Sequence, residues 1–321
     1  MDDIEERRKT LAKDLCNKFF LSPDRDNFFR HLDALKVNLP AEYVRIFDSF
    51  RYNLDSVMAT VGLPIAIVSA IVSNYRVRDV YKKYGAGQII EGHIEAKSID
   101  EDKEKEWYKI AAEIHRGEIE AKGEAFHLMT DTINRFLLST YEYEGVNTAC
   151  NELILQGIIL TWGAFELLCR DYFITYINMN PSKAILLFTN IDTKKYYGSR
   201  SIDIDLLHEY DYDLSDSMGE VLEGIHNITS MQTIKAIFGV LFQANNDLRL
   251  ALSDKTIWEL SQKRHIIVHN RGIVDRRYIE STGSNVPIGS KINVNPTELE
   301  SYIKAITNVG VCLFKSIGID A

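Results

Sequence analysis

The chain has 321 residues, 45% hydrophobic and 26% charged, a balance typical of a globular protein with a large core. Its formal net charge of −9 excludes a protein that binds nucleic acid over its whole surface, so any polyanion site must be local. The four cysteines, Cys16, Cys150, Cys169 and Cys312, show neither a CxxC pair nor zinc-ligand spacing, which favours single buried thiols over disulfides or a metal centre.

The first part of the chain is predicted to be helical. Its opening residues, MDDIEERRK, are acidic and lack the apolar run of a secretory signal, so we predict a cytoplasmic protein. Apolar residues in segment 2–20 recur at helical spacing, which predicts an amphipathic helix. Shorter helices are predicted at 26–37 and 41–54.

The segment VMATVGLPIAIVSAIV, residues 57–72, carries no charge and raises the question of a membrane span. It is shorter than the roughly 20 residues that a membrane helix needs, and Gly62 and Pro64 interrupt it. A buried helix or hairpin is therefore favoured, and no membrane association is predicted.

The middle of the chain is rich in charge. Residues 82–107 combine glycines and charged residues with few large apolar ones, which predicts a linker or loosely packed segment. A helix of mixed charge, weakened in its middle by two glycines, is predicted at about 102–140. We therefore assign residues 1–100 to an N-terminal helical region of unknown role and 101–144 to a connecting charged helix.

Residues 145–321 are predicted to form a second, mainly helical domain. Its first helix, 147–177, is long and strongly apolar, which indicates a central position. Residues 190–215 are predicted as surface loop with short structure, and 288–294 as a small strand paired with the segment IVDRRYI. Further helices are predicted at 182–189, 216–225, 229–243, 254–270 and 296–317. The predicted fold class is all-α: a helical bundle with a minor β-hairpin, preceded by another helical domain.

The motif KRHIIVHNRG, residues 263–272, concentrates cationic and titratable groups. On a helix, His265 and His269 share one face, and Ser253 and Asp254 offer N-terminal caps. Five Lys or Arg residues stand against one Asp between positions 263 and 277, so the local field should attract phosphate. The predicted RNA-binding residues are Lys263, Arg271, Arg276 and Arg277.

One arginine and one nearby histidine suffice for RNA cleavage without a metal. Arginine presents a charged fork that matches phosphate oxygens. Histidine titrates near physiological pH and can move the proton of the attacking 2′-hydroxyl or of the leaving oxygen. Charge preorganised at the developing anion adds to the rate.

The motif resembles that of a known family. Arg264, a polar residue at 265, three aliphatic residues and His269 match the R-polar-xxx-H motif of HEPN domains, and the setting RHIIVHNRG resembles the RiboL-PSP-HEPN branch. The earlier segment WGAFELLCRDYF is similar to the FExxL-type helix of that group. The likeness covers about residues 145–320.

The resemblance implies a helical bundle that dimerises, so that two motifs form one composite, metal-independent ribonuclease site. It assigns Arg264 to phosphate or transition-state contact and His269 to proton transfer. His265 stands where asparagine is common in the family, and we assign it, Asn270 and Glu166 supporting roles. Many members are toxins or phage-defence effectors, so an antitoxin or regulatory protein is a further expected partner beside RNA. We expect no cofactor.

Simpler alternatives stay open for the same residues. Residues 263–272 could be only the last turn of a helix, where cations favour the dipole. A metal held by His265 and His269 would find only Asp275 as a third ligand, beside repelling cations. A HEPN-like module could also bind RNA or a protein without cutting. Glu166 could pair with Arg264, with a motif histidine or, in solvent, with Arg170.

Overall fold

The computed structural model describes residues 2–21, 25–91, 93, 99–198 and 203–317. Its helices confirm the predicted all-α class, since 79% of the described residues are helical. Within the described ranges the only β-pairing is an isolated antiparallel bridge between Ile273 and Lys291. The helices are α1 (Asp2–Lys18), α2 (Arg25–Phe28), α3 (Arg30–Asp33), α4 (Ala41–Val61), α5 (Leu63–Ile90), α6 (Glu101–Glu120), α7 (Glu124–Tyr141), α8 (Glu144–Met179), α9 (Ala184–Thr189), α10 (Lys194–Tyr197), α11 (Ile204–Glu209), α12 (Met218–Ile225), α13 (Met231–Leu241), α14 (Asn246–Leu252), α15 (Lys255–Asn270), α16 (Arg276–Thr282) and α17 (Pro296–Ser316), with 3-10 turns at Lys36–Asn38 and Pro181–Lys183.

The chain divides into two compact units, each discontinuous in sequence. Unit 1 comprises Met1–Leu21 and Gly62–Cys150, and unit 2 comprises Ser22–Val61 and Asn151–Ala321. These boundaries differ from the three-part division drawn from the sequence. The segment assigned as a connector, 101–144, belongs to unit 1, and residues 22–61 belong with the C-terminal residues. Local patterning shows that a helix has an apolar face but not which helix covers it.

Unit 1 has small apolar clusters and a polar contact between helices. Leu15, Phe19, Val68 and Leu137 are buried together, which joins α1, α5 and α7. Between α5 and α6, Arg76 donates from Nε to Glu118 at 3.0 Å. The buried His115 lies beside them, with its Nε2 2.6 Å from Ser73 Oγ.

Unit 2 has a larger core centred on α8. Tyr172 is fully buried there and donates its hydroxyl hydrogen to the Leu313 carbonyl on α17 at 2.8 Å. The ring of Tyr172 is surrounded by aromatic side chains from several helices. They are Tyr43, Tyr176, Phe238, Phe242 and Phe314.

Three predicted elements of the first half differ from the structure. Residues 82–90, predicted as linker, continue α5, where the buried Gly85 lies against the Trp107 ring of α6. The helix predicted at 102–140 is interrupted at 121–123, where Lys122 adopts a left-handed φ of 49°. Segment 57–72 is split between two helices at Gly62; Val57 and Val61 are buried as predicted, whereas Ile67 is 49% exposed.

The second half follows the prediction more closely, with two additions. The short helix α14 was not predicted. The residues expected to form the first strand of the hairpin pair only at their start, because Arg276–Thr282 is helical as α16. The pairing of residues 272–274 with 289–292 does exist, as the Ile292 amide donates to the Gly272 carbonyl at 2.8 Å.

The described cysteines are all free thiols, as expected. Cys150, Cys169 and Cys312 are buried, but Cys16 is exposed on α1, so the prediction of burial was wrong for that residue. Burial raises the pKa of the Cys169 thiol well above its usual value, helped by the charge of Glu166. This thiol therefore stays protonated and unreactive.

By length and composition, α8 could cross a membrane. Among the other described helices, only α4 and α5 taken together as one broken span are long and apolar enough to do so. In the most apolar 18-residue stretch of α8, 56% is buried inside the protein, as in the core helix of a globular domain. These observations give no support to a membrane assignment. The cytoplasmic location stays a prediction.

Candidate functional site

The motif lies on the second half of α15, which is fixed at both ends. The Asp254 carboxylate accepts a hydrogen bond from the Thr256 amide at 2.8 Å, so Asp254 is the one of the two predicted caps that α15 uses. Buried Ile266 and Ile267 hold the helix against the core. At the other end Arg271 and Gly272 have φ values of 52° and 76°, so the helix stops where the sequence placed its end.

The chain then turns back and presents a second set of cations beside α15. The Val274 amide donates to the Ser290 carbonyl at 2.8 Å, which anchors the turn. Asp275 caps α16 by accepting from the Tyr278 amide at 2.7 Å. Arg276 and Arg277 therefore occupy the first turn of a helix held close to the motif.

A pocket of about 390 Å³ opens between these elements, and we call it the Arg264 pocket. Its charged lining consists of Arg264, Arg277 and Asp275, with the imidazole of His265. Its aromatic lining consists of Trp162 from α8, Trp258 from α15 and Tyr278 from α16. All of these residues belong to unit 2.

The two motif histidines are neighbours, but only one faces the pocket. The ring centroids of His265 and His269 are 4.6 Å apart, as their helical spacing predicted. His265 lines the Arg264 pocket, whereas His269 does not. Within one protomer, the pocket thus contains Arg264 without the histidine to which the resemblance assigns proton transfer.

The surroundings of His265 favour its neutral form. Partial desolvation lowers the pKa of His265 below its usual value of 6.5, and the nearby charges of His269, Arg277 and Arg264 lower it further. The carboxylate of Asp275 opposes this shift. At neutral pH the ring is therefore uncharged and able to accept a proton.

The cationic residues divide into one engaged lysine and four free arginines. Lys263 is largely buried, forms an ion pair with Glu298 and lies 5.9 Å from the Tyr302 ring. It is thus not free to bind RNA as predicted. In the part of the chain that the structure describes, no ion pair or side-chain hydrogen bond engages the other cations. They are Arg264, Arg271, Arg276 and Arg277.

Both predicted supporting residues are hydrogen-bonded, and the partner of Glu166 is none of those considered from the sequence. Glu166 accepts a hydrogen bond from the Trp162 indole at 2.8 Å, and Arg170 pairs instead with the adjacent Asp171. Trp162 precedes Glu166 by four residues, so the two side chains are neighbours on one helix face. Asn270 donates to Asp275 at 2.7 Å, which ties the end of α15 to the start of α16.

The aromatic lining of the pocket was missed from the sequence. A signal was present, since Trp258, Ser261, Gln262 and His265 follow the i, i+3, i+4, i+7 pattern of one helix face. All four line the Arg264 pocket. Trp162 and Tyr278 carried no comparable signal, because they come from other helices.

Two further observations bear on the site. Among the described residues, no three His, Cys, Asp or Glu side chains lie close enough together to hold a metal ion. No known protein family, curated protein or solved structure matches the chain. The candidate function therefore depends on the residues and geometry of the site itself.

Proposed function

We propose that the protein is a metal-independent endoribonuclease of the HEPN type. The observation that carries the proposal is the Arg264 pocket, where guanidinium groups with no side-chain partner among the described residues lie beside a histidine whose environment lowers its pKa. Guanidinium groups without protein partners are free to bind phosphate, and a neutral imidazole beside them can accept a proton. The similarity of the motif to HEPN domains supports the same assignment.

The proposed reaction is transesterification within the RNA strand. A 2′-hydroxyl transfers its proton to an imidazole as its oxygen forms a bond to the adjacent phosphorus. The bond from phosphorus to the 5′-oxygen breaks, and that oxygen takes a proton from a second acid. The products are a 2′,3′-cyclic phosphate and a 5′-hydroxyl, with no net redox change.

The chain offers a residue for each role in this reaction. Arg264 would contact the phosphate or its developing negative charge, which a preorganised cation stabilises. His269 would transfer protons, and His265 is a second imidazole beside it. Because His269 lies outside the pocket that contains Arg264, we propose a homodimer in which two copies of the motif form one cleft.

The test is cleavage of RNA by the purified full-length protein in EDTA. Arg264→Ala and His269→Ala should each lower cleavage at least ~10²-fold, the first through a lost cation at the developing charge and the second through a lost proton carrier. The variants should still dimerise, as shown by light scattering. Full activity in both variants, or products with 3′-hydroxyl ends, would refute the assignment.

A second candidate function is RNA or protein binding without cleavage. The exclusion of His269 from the pocket favours it, since a single protomer then has a binding pocket but an incomplete catalytic set. This function predicts that the protein shifts RNA in a gel without ever shortening it, even at large enzyme excess.

The proposed biological setting is that of a toxin or phage-defence effector acting on cytoplasmic RNA. It rests on the resemblance to HEPN domains, many of which have such roles. An antitoxin or regulatory protein would then be a partner. Expression of the wild type should arrest growth, whereas expression of Arg264→Ala should not.

A further inference from the structure

The Arg264 pocket has two kinds of surface, and together they suit a nucleotide better than an inorganic anion. Arginine side chains from α15 and α16 supply positive charge, and aromatic rings from three helices supply flat apolar walls. Its volume of about 390 Å³ falls within the range of about 300–1,000 Å³ usual for small-molecule sites. A phosphate group alone would leave the aromatic part of such a pocket empty.

The aromatic residues differ in how much of their surface is available. Trp162 and Tyr278 are 3% and 8% exposed, so they form the packed base of the wall. Trp258 is only half-buried and presents the most accessible ring. The Trp162 indole is also fixed by its hydrogen bond to Glu166. A planar ligand would therefore meet Trp258 first, against a wall that is already ordered.

The charged residues of the pocket differ in whether they already have hydrogen-bond partners within the protein. Asp275 is engaged by both carboxylate oxygens, one with the Tyr278 amide and one with Asn270. Arg264 and Arg277 have no described side-chain partner and outnumber that carboxylate. Ligand phosphate would thus gain charge-assisted hydrogen bonds without breaking an existing ion pair.

We propose that the Arg264 pocket is a subsite for one unstacked nucleotide of a single-stranded RNA. Its base lies against Trp258, and its phosphate is bound by Arg264 and Arg277. The identity of the ligand as RNA rests on the proposed function. A base inside a duplex is stacked on its neighbours and cannot enter the pocket, so the subsite selects loops, bulges and ends.

Nucleotide binding can be measured directly with the full-length protein. Trp258 and Trp162 line the pocket, so adenosine 3′-monophosphate should quench tryptophan fluorescence. Adenosine and inorganic phosphate should each bind at least ~10-fold more weakly, because each contacts one half of the pocket. No quenching by the nucleotide, or equal affinity for phosphate alone, would overturn the proposal.

A comparison of RNA with free mononucleotide shows whether the pocket binds a nucleotide within a strand or a free one. A single-stranded trinucleotide should bind at least as tightly as adenosine 3′-monophosphate and quench to a similar extent. A blunt duplex without unpaired bases should not quench. Exclusion of the trinucleotide would overturn the assignment to an RNA strand and indicate a pocket for free nucleotides.

Two exposed arginines of unit 2 provide a pair of variants. Arg277 lines the pocket, whereas Arg45 on α4 is also exposed and does not line it. Calorimetry should show that Arg277→Gln weakens nucleotide binding at least ~10-fold, as expected for a lost charged hydrogen bond, and that Arg45→Gln leaves it within about twofold. Equal losses in the two variants would show that binding follows net charge alone and would refute a built subsite.

The stacking contact is tested by Trp258→Leu. Base–aromatic stacking is worth about 1–3 kcal/mol, so affinity should fall roughly 5- to 150-fold. Trp258→Phe keeps a ring and should retain most of the affinity. If the leucine variant fails to fold, the arginine pair alone decides the question. Unchanged affinity in a folded Trp258→Leu protein would overturn the stacking assignment.

The subsite and the nuclease can fail separately. Nucleotide binding that depends on Trp258 and Arg277, without any RNA cleavage, would refute the nuclease and leave the subsite. Cleavage that depends on Arg264 but not on Trp258, in a protein that binds no mononucleotide, would refute the subsite and leave the nuclease.

Discussion

At the end of α15, two imidazoles and several guanidinium groups lie close together, and the cations act on His265. Desolvation lowers the pKa of His265, and the charges of His269, Arg277 and Arg264 lower it further. Arg264 and Arg277 also line the pocket with it. The same cations that would bind phosphate therefore keep the neighbouring base unprotonated.

The titration of His265 can be followed by NMR of its ring protons. We expect a pKa below 6.5, so the ring becomes protonated at a lower pH than an ordinary histidine does. Arg277→Gln removes a nearby positive charge and should raise that pKa, while Asp275→Asn removes a negative charge and should lower it further. A pKa at or above 6.5 in the wild type would contradict the electrostatic picture.

At the scale of elements, the position of α16 depends on one carboxylate. Asp275 accepts from the Tyr278 amide at 2.7 Å and from Asn270 at 2.7 Å, so it caps α16 and ties it to the end of α15. This connection places Arg277 at the pocket. The cap is thus as important for the site as the cations themselves.

Loss of that cap should have a measurable cost. We expect Asp275→Ala to lower the free energy of unfolding by about 0.5–2 kcal/mol in urea denaturation, because the α16 amide loses its acceptor. Asp275→Asn keeps an acceptor for the Tyr278 amide and should lose less. An alanine variant as stable as the asparagine variant would show that the cap does not hold α16.

A matched pair of glycines on α5 tests the packing of unit 1. A Cβ atom at Gly85 would lie 2.8 Å from the Trp107 ring, whereas one at Gly87 would meet nothing within 4 Å. Gly85→Ala should destabilise the protein by about 1–3 kcal/mol through overpacking. Gly87→Ala should stabilise it by about 0.5–1 kcal/mol, since alanine favours a helix interior. Equal changes in the thermal midpoint would contradict the close approach of α5 and α6.

The elements that the sequence predicted well are those with a local physical signal. Asp254 and Gly272 mark the ends of α15, and the long apolar run of α8 marks a core helix. The linker predicted at 82–107 was wrong at its start, because glycine is typical of loops in composition, whereas Gly85 lies within α5 where the helix meets Trp107. The partner of Glu166 and the aromatic wall of the pocket could not be predicted, because they depend on which helices meet.

At the scale of the whole molecule, the arrangement of the motif raises the question of a second copy. Arg264 and His269 lie on one helix, but only Arg264 lines the pocket. Their separation of five residues is about 140° around the axis, which follows from the 3.6-residue period. The two side chains therefore leave α15 in different directions. A composite site would instead combine Arg264 of one copy with His269 of another.

This arrangement predicts complementation between two inactive variants. Arg264→Ala and His269→Ala homodimers should each be inactive, whereas a mixed dimer retains one arginine and one histidine that meet in the same cleft. Mixing the two proteins, with partial denaturation to exchange subunits, should therefore restore part of the wild-type cleavage rate. Mixing wild type with the double variant serves as the control for exchange. If the mixed dimers form, as mass spectrometry can show, and remain inactive, then each site requires both residues from a single copy and the composite arrangement is wrong.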